Sequence, residues 1–243
     1  ASQYHNPVNP EAHVITTGPG IWQQTAGKIT HFVAGMGTGG TISGTGRYLK
    51  SQNPRVKIVG VDPIGSILYE LHRSGKFTAA EGYKVEGIGE DFLPTTTDMT
   101  VVDTIVQVND RESFMMTRRL VRAEGIFCGG SCGAAVIGAL KYARERNLGP
   151  DDVVVVILPD SGSRYLSKIF DDDWMRENGF LESTWVDHRA QDILAGREEE
   201  VLLTARKDDS LTSVIAMFKE HGISQVPVVD DAGNLAGIVR EID

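Results

Sequence analysis

Gly35-Met36-Gly37-Thr38-Gly39-Gly40-Thr41 is the stretch of the chain that decides the fold. Residues 29–34, just before it, include β-branched and aromatic side chains, which predicts a strand. Residues 42–52, just after it, carry apolar side chains at roughly helical spacing and end before Asn53-Pro54, a helix stop signal. A strand that leads through a glycine loop into a helix is typical of a phosphate-binding site. Glycine lets the backbone approach an anion, and the first N–H groups of the helix point towards it.

The glycine spacing leaves two phosphate ligands open. Glycines 35, 37 and 40 satisfy the G-x-G-x-x-G spacing of dinucleotide-binding proteins, and a second strand at residues 56–61 ends at Asp62, where an acidic residue would bind ribose. Thr38 and Thr41 favour a single terminal phosphate instead, because their hydroxyls would crowd a pyrophosphate. Walker-type nucleotide binding is excluded, since no Gly-Lys-Ser or Gly-Lys-Thr follows the loop. A plain turn is a weaker interpretation, because one or two glycines would suffice for it.

The composition limits the classes of function. The chain has 243 residues, 41% of them hydrophobic, and a formal net charge of −9. This charge argues against a surface for nucleic acid or for an anionic membrane. With no long apolar run and no signal peptide in the sequence, we expect a cytoplasmic protein without a membrane segment. Cys128 and Cys132 are interpreted as free thiols, and neither they nor the six scattered histidines form a metal site.

The order of elements predicts an α/β fold with a parallel sheet that is covered by helices on both faces. Residues 11–26 contain a helix that residues 16–19 start or interrupt. Strands are predicted at residues 102–108 and 153–158, and the second is so uniformly apolar that we expect it in the middle of the sheet. In doubly wound sheets ligands bind at the carboxyl ends of the strands, so a site is expected there.

A helix is predicted between Asn109 and Gly125. Asn109 is its N-cap, and Glu112, three residues further on, completes a capping box. The expected core face of this helix consists of Phe114, Met115, Leu120 and Val121.

Two further glycine loops have a structural and a functional interpretation each. Residues 86–92 hold two glycines around Ile88 and form either a simple turn or a backbone wall that contacts a substrate. Ser131 follows two glycines at the start of another predicted helix, where it either caps the helix or presents its hydroxyl to a ligand. Asp160 ends the apolar strand and lies at the same predicted edge of the sheet.

Four motifs together resemble those of the pyridoxal-phosphate β-family (fold type II), which includes cysteine synthase and cystathionine β-synthase. They are Gly37-Thr38-Gly39-Gly40-Thr41, Glu86-Gly87-Ile88-Gly89, Gly129-Gly130-Ser131 and Leu158-Pro159-Asp160-Ser161. Each motif is weak alone, but their order and spacing make the resemblance specific, and it covers residues 1–182. The resemblance implies a single terminal phosphate, that of pyridoxal 5'-phosphate, rather than a pyrophosphate.

The resemblance also implies roles for individual residues. Ser131 would hydrogen-bond the pyridine nitrogen, and a neutral serine there favours β-elimination and replacement over transamination. The substrate would contact Gln3 and the wall at residues 87–89. The residues that would hold the cofactor are Gly37, Thr38, Gly39, Gly40, Thr41 and Ser131, and those that would contact substrate are Gln3, Gly87, Ile88 and Gly89.

The tail of the chain distinguishes among the branches of this family. Residues 183–200 form a polar linker, and residues 201–243 predict strand, helix, strand, turn and strand, which resembles the first motif of a CBS regulatory pair, cut short. Such pairs bind adenosyl ligands such as S-adenosylmethionine, and the contacts would fall at Ile223, Ser224, Gln225 and Val226.

A CBS tail favours the cystathionine β-synthase branch. Its members join serine and homocysteine into cystathionine in transsulfuration and cysteine biosynthesis, usually as homodimers or higher homo-oligomers. The alternatives are a cysteine synthase that uses O-acetylserine and sulfide, and a non-catalytic module that binds an adenosyl or phosphate ligand.

The sequence departs from the family pattern in two respects. The Schiff-base lysine of the family lies in a Ser-x-Lys-Asp-Arg stretch that is absent here, and Lys168 stands in no such context. We therefore expect the chain to be a portion of a longer enzyme, with its catalytic lysine outside residues 1–243. Glu90 stands where some relatives have tyrosine, which leaves open how the leaving hydroxyl is assisted.

Overall fold

A computed structural model describes residues 2–181 and 202–242 of the chain. The chain divides into two compact units, Ala1–Ser183 and Thr184–Asp243. The described elements of the first unit are α1 Val8–Ile15, α2 Thr17–Gln24, β1 His31–Gly35, α3 Gly40–Gln52, β2 Lys57–Pro63, α4 Leu68–Ser74, β3 Thr104–Val108, α5 Asp110–Glu124, α6 Gly130–Glu145, β4 Val154–Val156, a 3₁₀ turn Gly162–Tyr165 and α7 Asp172–Glu177.

The first unit is built on a parallel sheet with the strand order β3-β2-β1-β4. This confirms the predicted α/β class. β1 lies between β2 and β4, in a register that pairs Phe32 with Ile58 and with Val155. The glycine loop therefore leaves an interior strand of the described sheet at its carboxyl end, which is where α/β folds bind ligands.

The prediction of a central position for the apolar strand is wrong for the part of the chain that the structure describes. β4 pairs with β1 on one side, lies at the edge of the described sheet, and keeps Val154, Val155 and Val156 only half-buried. Apolar side chains indicate that helices cover the two faces of a strand. They carry no information about pairing along its two edges.

Side chains alternate between two apolar layers, one on each face of the sheet. Phe32 and Ile58 are fully buried on the face that packs against α3, together with Ile42 and Leu49 of that helix. Val33 and its β2 neighbours point to the opposite face, where α5 and α6 cover them. Burial on both faces holds the glycine loop between two fixed layers.

α5 begins as predicted, and Phe114 and Leu120 of its expected core face are buried. The Asn109 side chain accepts the Glu112 N–H at 2.9 Å, and the Asn109 N–H donates to the Glu112 carboxylate at 2.7 Å, which confirms the capping box. Met115, predicted in the core, is 38% exposed, whereas Met116 and Thr117 are buried. The reason is α6: a Cβ at its Gly133 would collide with Thr117, so the two helices approach closely along this line.

The predicted N-terminal helix is two helices. The backbone of Thr16, at φ −124° and ψ −69°, separates α1 from α2. The break had been expected at residues 16–19, and the two short helices pack against α3 beside the glycine loop.

The second unit has the predicted order of strand, helix, strand, turn and strand. Its elements are β5 Ala205–Arg206, α8 Leu211–His221, β6 Gln225–Val229 and β7 Leu235–Arg240. β5 and β6 are parallel, whereas β6 and β7 form an antiparallel hairpin. Val214 and Phe218 bury the apolar face of α8 against β6, while Leu211 and Ile215 of the same helix are at least half-exposed. The exact boundaries predicted for the linker and the two domains stay a prediction, because residues 182–201 lie outside the described residues.

Candidate cofactor site

A cavity of about 220 Å³ opens at the carboxyl end of β1. The first turns of α3 and α6 and the loop at residues 87–88 surround it. Eight of the predicted site residues line this cavity, although they come from four separate stretches of the chain. The lining consists of Gln3, Ala34, Gly35, Gly37, Thr38, Gly39, Thr41, Ile42, Gly87, Ile88, Ser131, Ile157 and Pro159.

The glycine loop has no room for side chains. A Cβ at Gly37 would lie 2.6 Å from the carbonyl oxygen of Gly87, so the two backbone segments are in direct contact. Gly39 has φ +79°, a conformation that L side chains rarely adopt, and a Cβ there would also collide with Thr97. A Cβ at Gly40 would collide with Asn9. Three loop glycines are therefore required by contacts within the fold.

The N-terminus of α3 offers unpaired backbone donors to the cavity. Its N-cap is Gly39, which has no side chain to cap the first turn, and helices leave their first N–H groups without intrahelical partners. These N–H groups and the positive end of the helix dipole favour an anion. The site therefore fits a phosphate that backbone groups bind.

The two threonine hydroxyls of the loop are held by residues of α1. Asn9 donates to the Thr38 hydroxyl at 3.1 Å, and Nε2 of His13 lies 3.2 Å from the Thr41 hydroxyl. Burial lowers the pKa of His13, so this ring is neutral at neutral pH. α1 thus orients both hydroxyls without adding a positive charge. Sequence reasoning missed Asn9 and His13, because nothing in their local sequence indicates the contact.

Ser131 faces the cavity from the first turn of α6. The N-cap of this helix is Gly129, and Ser131 is the second helical residue, so the capping interpretation is wrong. Ser131 is 6% exposed, and its hydroxyl has no hydrogen-bonding partner among the described residues. A buried hydroxyl that points into a cavity is suited to a polar atom of a ligand.

Asp160 lies against Gly129, just before α6, and is held by two neighbours. It accepts a hydrogen bond from the Tyr165 hydroxyl at 2.7 Å, and its Oδ1 lies 3.4 Å from the sulfur of Cys132. Burial raises the pKa of Cys132 to about 12, so this residue remains a thiol. Cys128 is also a buried free thiol, which confirms the interpretation of both cysteines.

The loop at residues 87–89 is both a tight turn and a wall of the cavity. Gly87 and Gly89 have φ values of +83° and +79°. The Gly89 N–H donates to the carbonyl oxygen of Met36 at 2.6 Å, which fastens the wall to the glycine loop. Gly87 and Ile88 line the cavity, whereas Gly89 lies behind them.

The dinucleotide interpretation is wrong, because Asp62 is not available to a ribose. Asp62 is fully buried, and its Oδ2 accepts the Tyr69 N–H at 2.9 Å. A cavity of about 220 Å³ with one glycine loop at its edge fits a single phosphate and a small ring. The residues present are therefore compatible with pyridoxal 5'-phosphate.

Lys168 does not reach this site. Its ammonium group forms an ion pair with Glu86. Within the described ranges no cluster of histidine, cysteine, aspartate or glutamate could hold a metal ion. No helix of the described part is both long and apolar enough to cross a membrane.

The second unit has a cavity of its own, of about 330 Å³, between α8 and the hairpin. The predicted adenosyl contacts Ile223, Ser224, Gln225 and Val226 do not line it: Val226 is fully buried in the core, and the Ser224 carbonyl accepts the Glu241 N–H. The lining residues, which sequence reasoning missed, are Ala205, Arg206, Lys207, Asp209, Leu211, Val214, Val228, Ala236, Gly237, Ile238 and Val239.

Residues 1–160 match a family model described as "Pyridoxal-phosphate dependent enzyme", and residues 199–243 match one described as "CBS domain". The chain belongs to the family of pyridoxal-phosphate-dependent enzymes. The cofactor of this family is the group that the cavity fits, and the predicted resemblance is confirmed.

Curated relatives match most of this pyridoxal-phosphate-dependent chain. The chain is 43% identical over 244 residues to cystathionine beta-synthase of Mus musculus, and this match covers 98% of the chain and 42% of the relative. The corresponding protein of Saccharomyces cerevisiae is 37% identical over 259 residues, covering 98% of the chain and 51% of the relative. That of Apis mellifera is 48% identical over 180 residues, or 74% of the chain and 35% of the relative. The chain thus spans about half the length of these curated relatives, or less.

Proposed function

We propose that the full-length protein is a cytoplasmic cystathionine β-synthase, which replaces the hydroxyl of serine by the thiol of homocysteine. The observation that carries the proposal is the cavity that joins the start of α3, the wall at residues 87–88 and Ser131. The relatives that match nearly the whole chain bear this name. Membership of the family supports pyridoxal 5'-phosphate as the cofactor.

In this proposal the residues of the chain bind and orient the cofactor. The N–H groups at the start of α3 and the hydroxyls of Thr38 and Thr41 bind its phosphate, with Gly37, Gly39 and Gly40 allowing the close approach. Bound pyridoxal phosphate supplies an electron sink at the substrate's α-carbon. Ser131 faces the ring nitrogen and retains its own proton, because a serine hydroxyl is too weak an acid to protonate the nitrogen. This favours replacement over transamination.

The wall and the N-terminal segment orient the substrate. Ile88 and the glycines beside it contact the substrate through the backbone, and Gln3 lies near its carboxylate. Asn9 holds this segment in place, because it donates to the carbonyl oxygen of Gln3 at 2.7 Å as well as to Thr38. The same asparagine therefore connects the proposed phosphate and carboxylate contacts.

The second unit supports a regulatory proposal. A CBS-domain match at residues 199–243 suggests that an adenosyl effector such as S-adenosylmethionine binds there. The proposed contacts are Ile223, Ser224 and Gln225, together with Arg206, Lys207 and Asp209 of the 330 Å³ cavity, while Val226 packs in the core behind them. By analogy with its proposed family branch, we infer a homodimer or a higher homo-oligomer.

The direct test is an assay of the full-length protein with pyridoxal phosphate. We expect cystathionine from serine and homocysteine at a higher kcat/KM than cysteine from O-acetylserine and sulfide. The reverse preference would make the protein a cysteine synthase. Cofactor or adenosyl binding without turnover of either substrate pair would make it a binding module.

Two substitutions of Ser131 sharpen this test. Ser131→Asp places an acid against the ring nitrogen, so we expect the cofactor to stay bound, its absorption spectrum to shift, and the replacement rate to fall by roughly 10²-fold or more. Ser131→Ala is the control for loss of the hydroxyl without a new charge. An unchanged spectrum and unchanged kinetics in both variants would remove Ser131 from the cofactor site.

A further inference from the structure

Asp62 is a buried carboxyl group that the proposed chemistry does not use. It lies at the carboxyl end of β2, one strand away from the glycine loop, and is 0% exposed. Its Oδ2 accepts the Tyr69 N–H, whereas its Oδ1 is buried without a partner among the described residues. A buried carboxylate oxygen with no donor is costly, so this group either carries a proton or takes a donor from elsewhere.

A donor that interacts with this carboxyl group is the hydroxyl of Ser66. In the structure this hydroxyl donates to the carbonyl oxygen of Glu90 at 3.2 Å and accepts the Glu90 N–H at 3.0 Å. It also accepts the Leu68 N–H at 3.3 Å. One hydroxyl has a single proton, which it can donate to Glu90 or to the Asp62 carboxylate but not to both.

Glu90 is the last residue of the loop that forms the wall of the cavity. Gly87 and Ile88 line the cavity, and the Gly89 N–H is bound to Met36 of the glycine loop. The Glu90 carbonyl accepts a second hydrogen bond, from the Ile67 N–H at 3.0 Å. The Glu90 carbonyl thus has two donors when the Ser66 hydroxyl points to it, and one donor when that hydroxyl points to Asp62.

We propose that Asp62 is a positioning residue for the cofactor site, which acts through the Ser66 hydroxyl to tighten or loosen the wall at residues 87–90. With Asp62 protonated, Ser66 donates to Glu90 and the wall is held firmly. With Asp62 ionised, Ser66 turns to the carboxylate, and Glu90 loses one hydrogen bond. The effect on the cofactor rests on the proposed function of the cavity, whereas the effect on the wall does not.

The surroundings of Asp62 set the pH at which the Ser66 hydroxyl switches partner close to neutral. Burial raises the pKa of Asp62 to about 7 and the nearby Glu90 adds to the rise, while the Tyr69 N–H that donates to its carboxylate and the adjacent Ser66 hydroxyl oppose it. Among the described residues, Tyr83 is a further titratable neighbour, and burial together with the Glu90, Asp62, Asp91 and Asp110 carboxylates raises its pKa to about 12. Asp62 is therefore mainly protonated below pH 7 and mainly ionised above it.

The test is hydrogen–deuterium exchange of the segment 86–92 in the full-length protein, at about pH 5.5 and pH 9, corrected for intrinsic exchange rates. Asp62→Asn cannot ionise and donates from its amide, so it keeps the protonated arrangement at both pH values. We expect the wild type to exchange roughly fivefold faster than this variant at the higher pH, as for the loss of one neutral hydrogen bond, and equally at the lower pH. Pyridoxal phosphate should also dissociate faster from the wild type than from Asp62→Asn at the higher pH, and absorbance measures this rate.

Two further variants make the result decisive. Ser66→Ala removes the hydroxyl that connects Asp62 to Glu90, so segment 86–92 of this variant should exchange fast at both pH values. In this background, aspartate and asparagine at position 62 should give the same exchange rate. Asp103→Asn is the control, because Asp103 also accepts a backbone N–H, that of Ile58 at 2.8 Å, and its other partners in the described part of the chain are Lys50 and Lys57 rather than the wall. Equal exchange in wild type, Asp62→Asn and Ser66→Ala at pH 9 would overturn the inference. Failure of the wild type to bind pyridoxal phosphate would overturn the proposed function alone.

Discussion

A Cβ at Gly37 would lie 2.6 Å from the carbonyl oxygen of Gly87, and a Cβ at Gly40 would collide with Asn9. One added methyl group at either position would push the glycine loop away from the wall or from α1, so the absence of a side chain lets these three segments meet around one cavity. Ser131 illustrates the opposite case, because its hydroxyl is present, buried and without a partner among the described residues. The site thus depends on a few positions, where adding a methyl group to a glycine or removing the hydroxyl of Ser131 cannot be compensated by a neighbour.

Gly37→Ala is expected to weaken the binding of pyridoxal phosphate by roughly tenfold or more, because the loop and the wall must separate to admit the methyl group. The measurement is a titration of the full-length apoprotein with pyridoxal phosphate, followed by absorbance. Gly82→Ala is the matched control, since a Cβ there would meet nothing within 4 Å, and it should bind the cofactor as the wild type does. Equal affinity in both variants would mean that the loop does not hold the phosphate.

At the scale of elements, the sequence was sufficient to predict those helices, strands and caps that depend on contacts between residues close in the chain. The strand, glycine loop and helix of residues 31–52 and the capping box of α5 depend on residues close in sequence, and both were predicted. Contacts between distant segments were not predictable. Asn9 reaches Thr38 across 29 positions, and Thr96 donates to the carbonyl oxygen of Thr38 across 58 positions. The burial of Met115 was mispredicted for the same reason, because the close approach of α6 determines which side of α5 is covered.

The capping box gives a prediction for α5 as a whole. Asn109→Ala removes the side-chain acceptor for the Glu112 N–H, and we expect it to lower the free energy of unfolding of the first unit by about 1 kcal/mol. Urea denaturation followed by tryptophan fluorescence measures this, since Trp22 and Trp174 lie in the first unit. Asn109→Ser keeps an acceptor and should recover most of the loss. An alanine variant as stable as the serine variant would mean that Lys141, which donates to Glu112 at 2.5 Å, already holds the start of the helix.

At the scale of the whole molecule, the chain combines two units with separate cores and separate cavities. The first unit places its cavity at the carboxyl end of a parallel sheet, and the second places its cavity between a helix and a hairpin. A ligand stabilises the unit that binds it in proportion to the logarithm of its concentration over Kd. Each proposed ligand should therefore have its own thermal signature.

Calorimetry of the full-length protein is expected to resolve this. Pyridoxal phosphate at about 100 times its Kd should stabilise the first unit by about 2.7 kcal/mol and raise its transition by several degrees, and S-adenosylmethionine should raise the transition of the second unit. At the same concentration Gly37→Ala, with a Kd roughly tenfold higher, should reduce the stabilisation of the first unit to about 1.4 kcal/mol or less and leave the second shift unchanged. If S-adenosylmethionine moves neither transition, the adenosyl proposal for the CBS unit fails. If each ligand moves both transitions equally, the two units unfold as one cooperative body, and binding at one cavity is then coupled energetically to binding at the other.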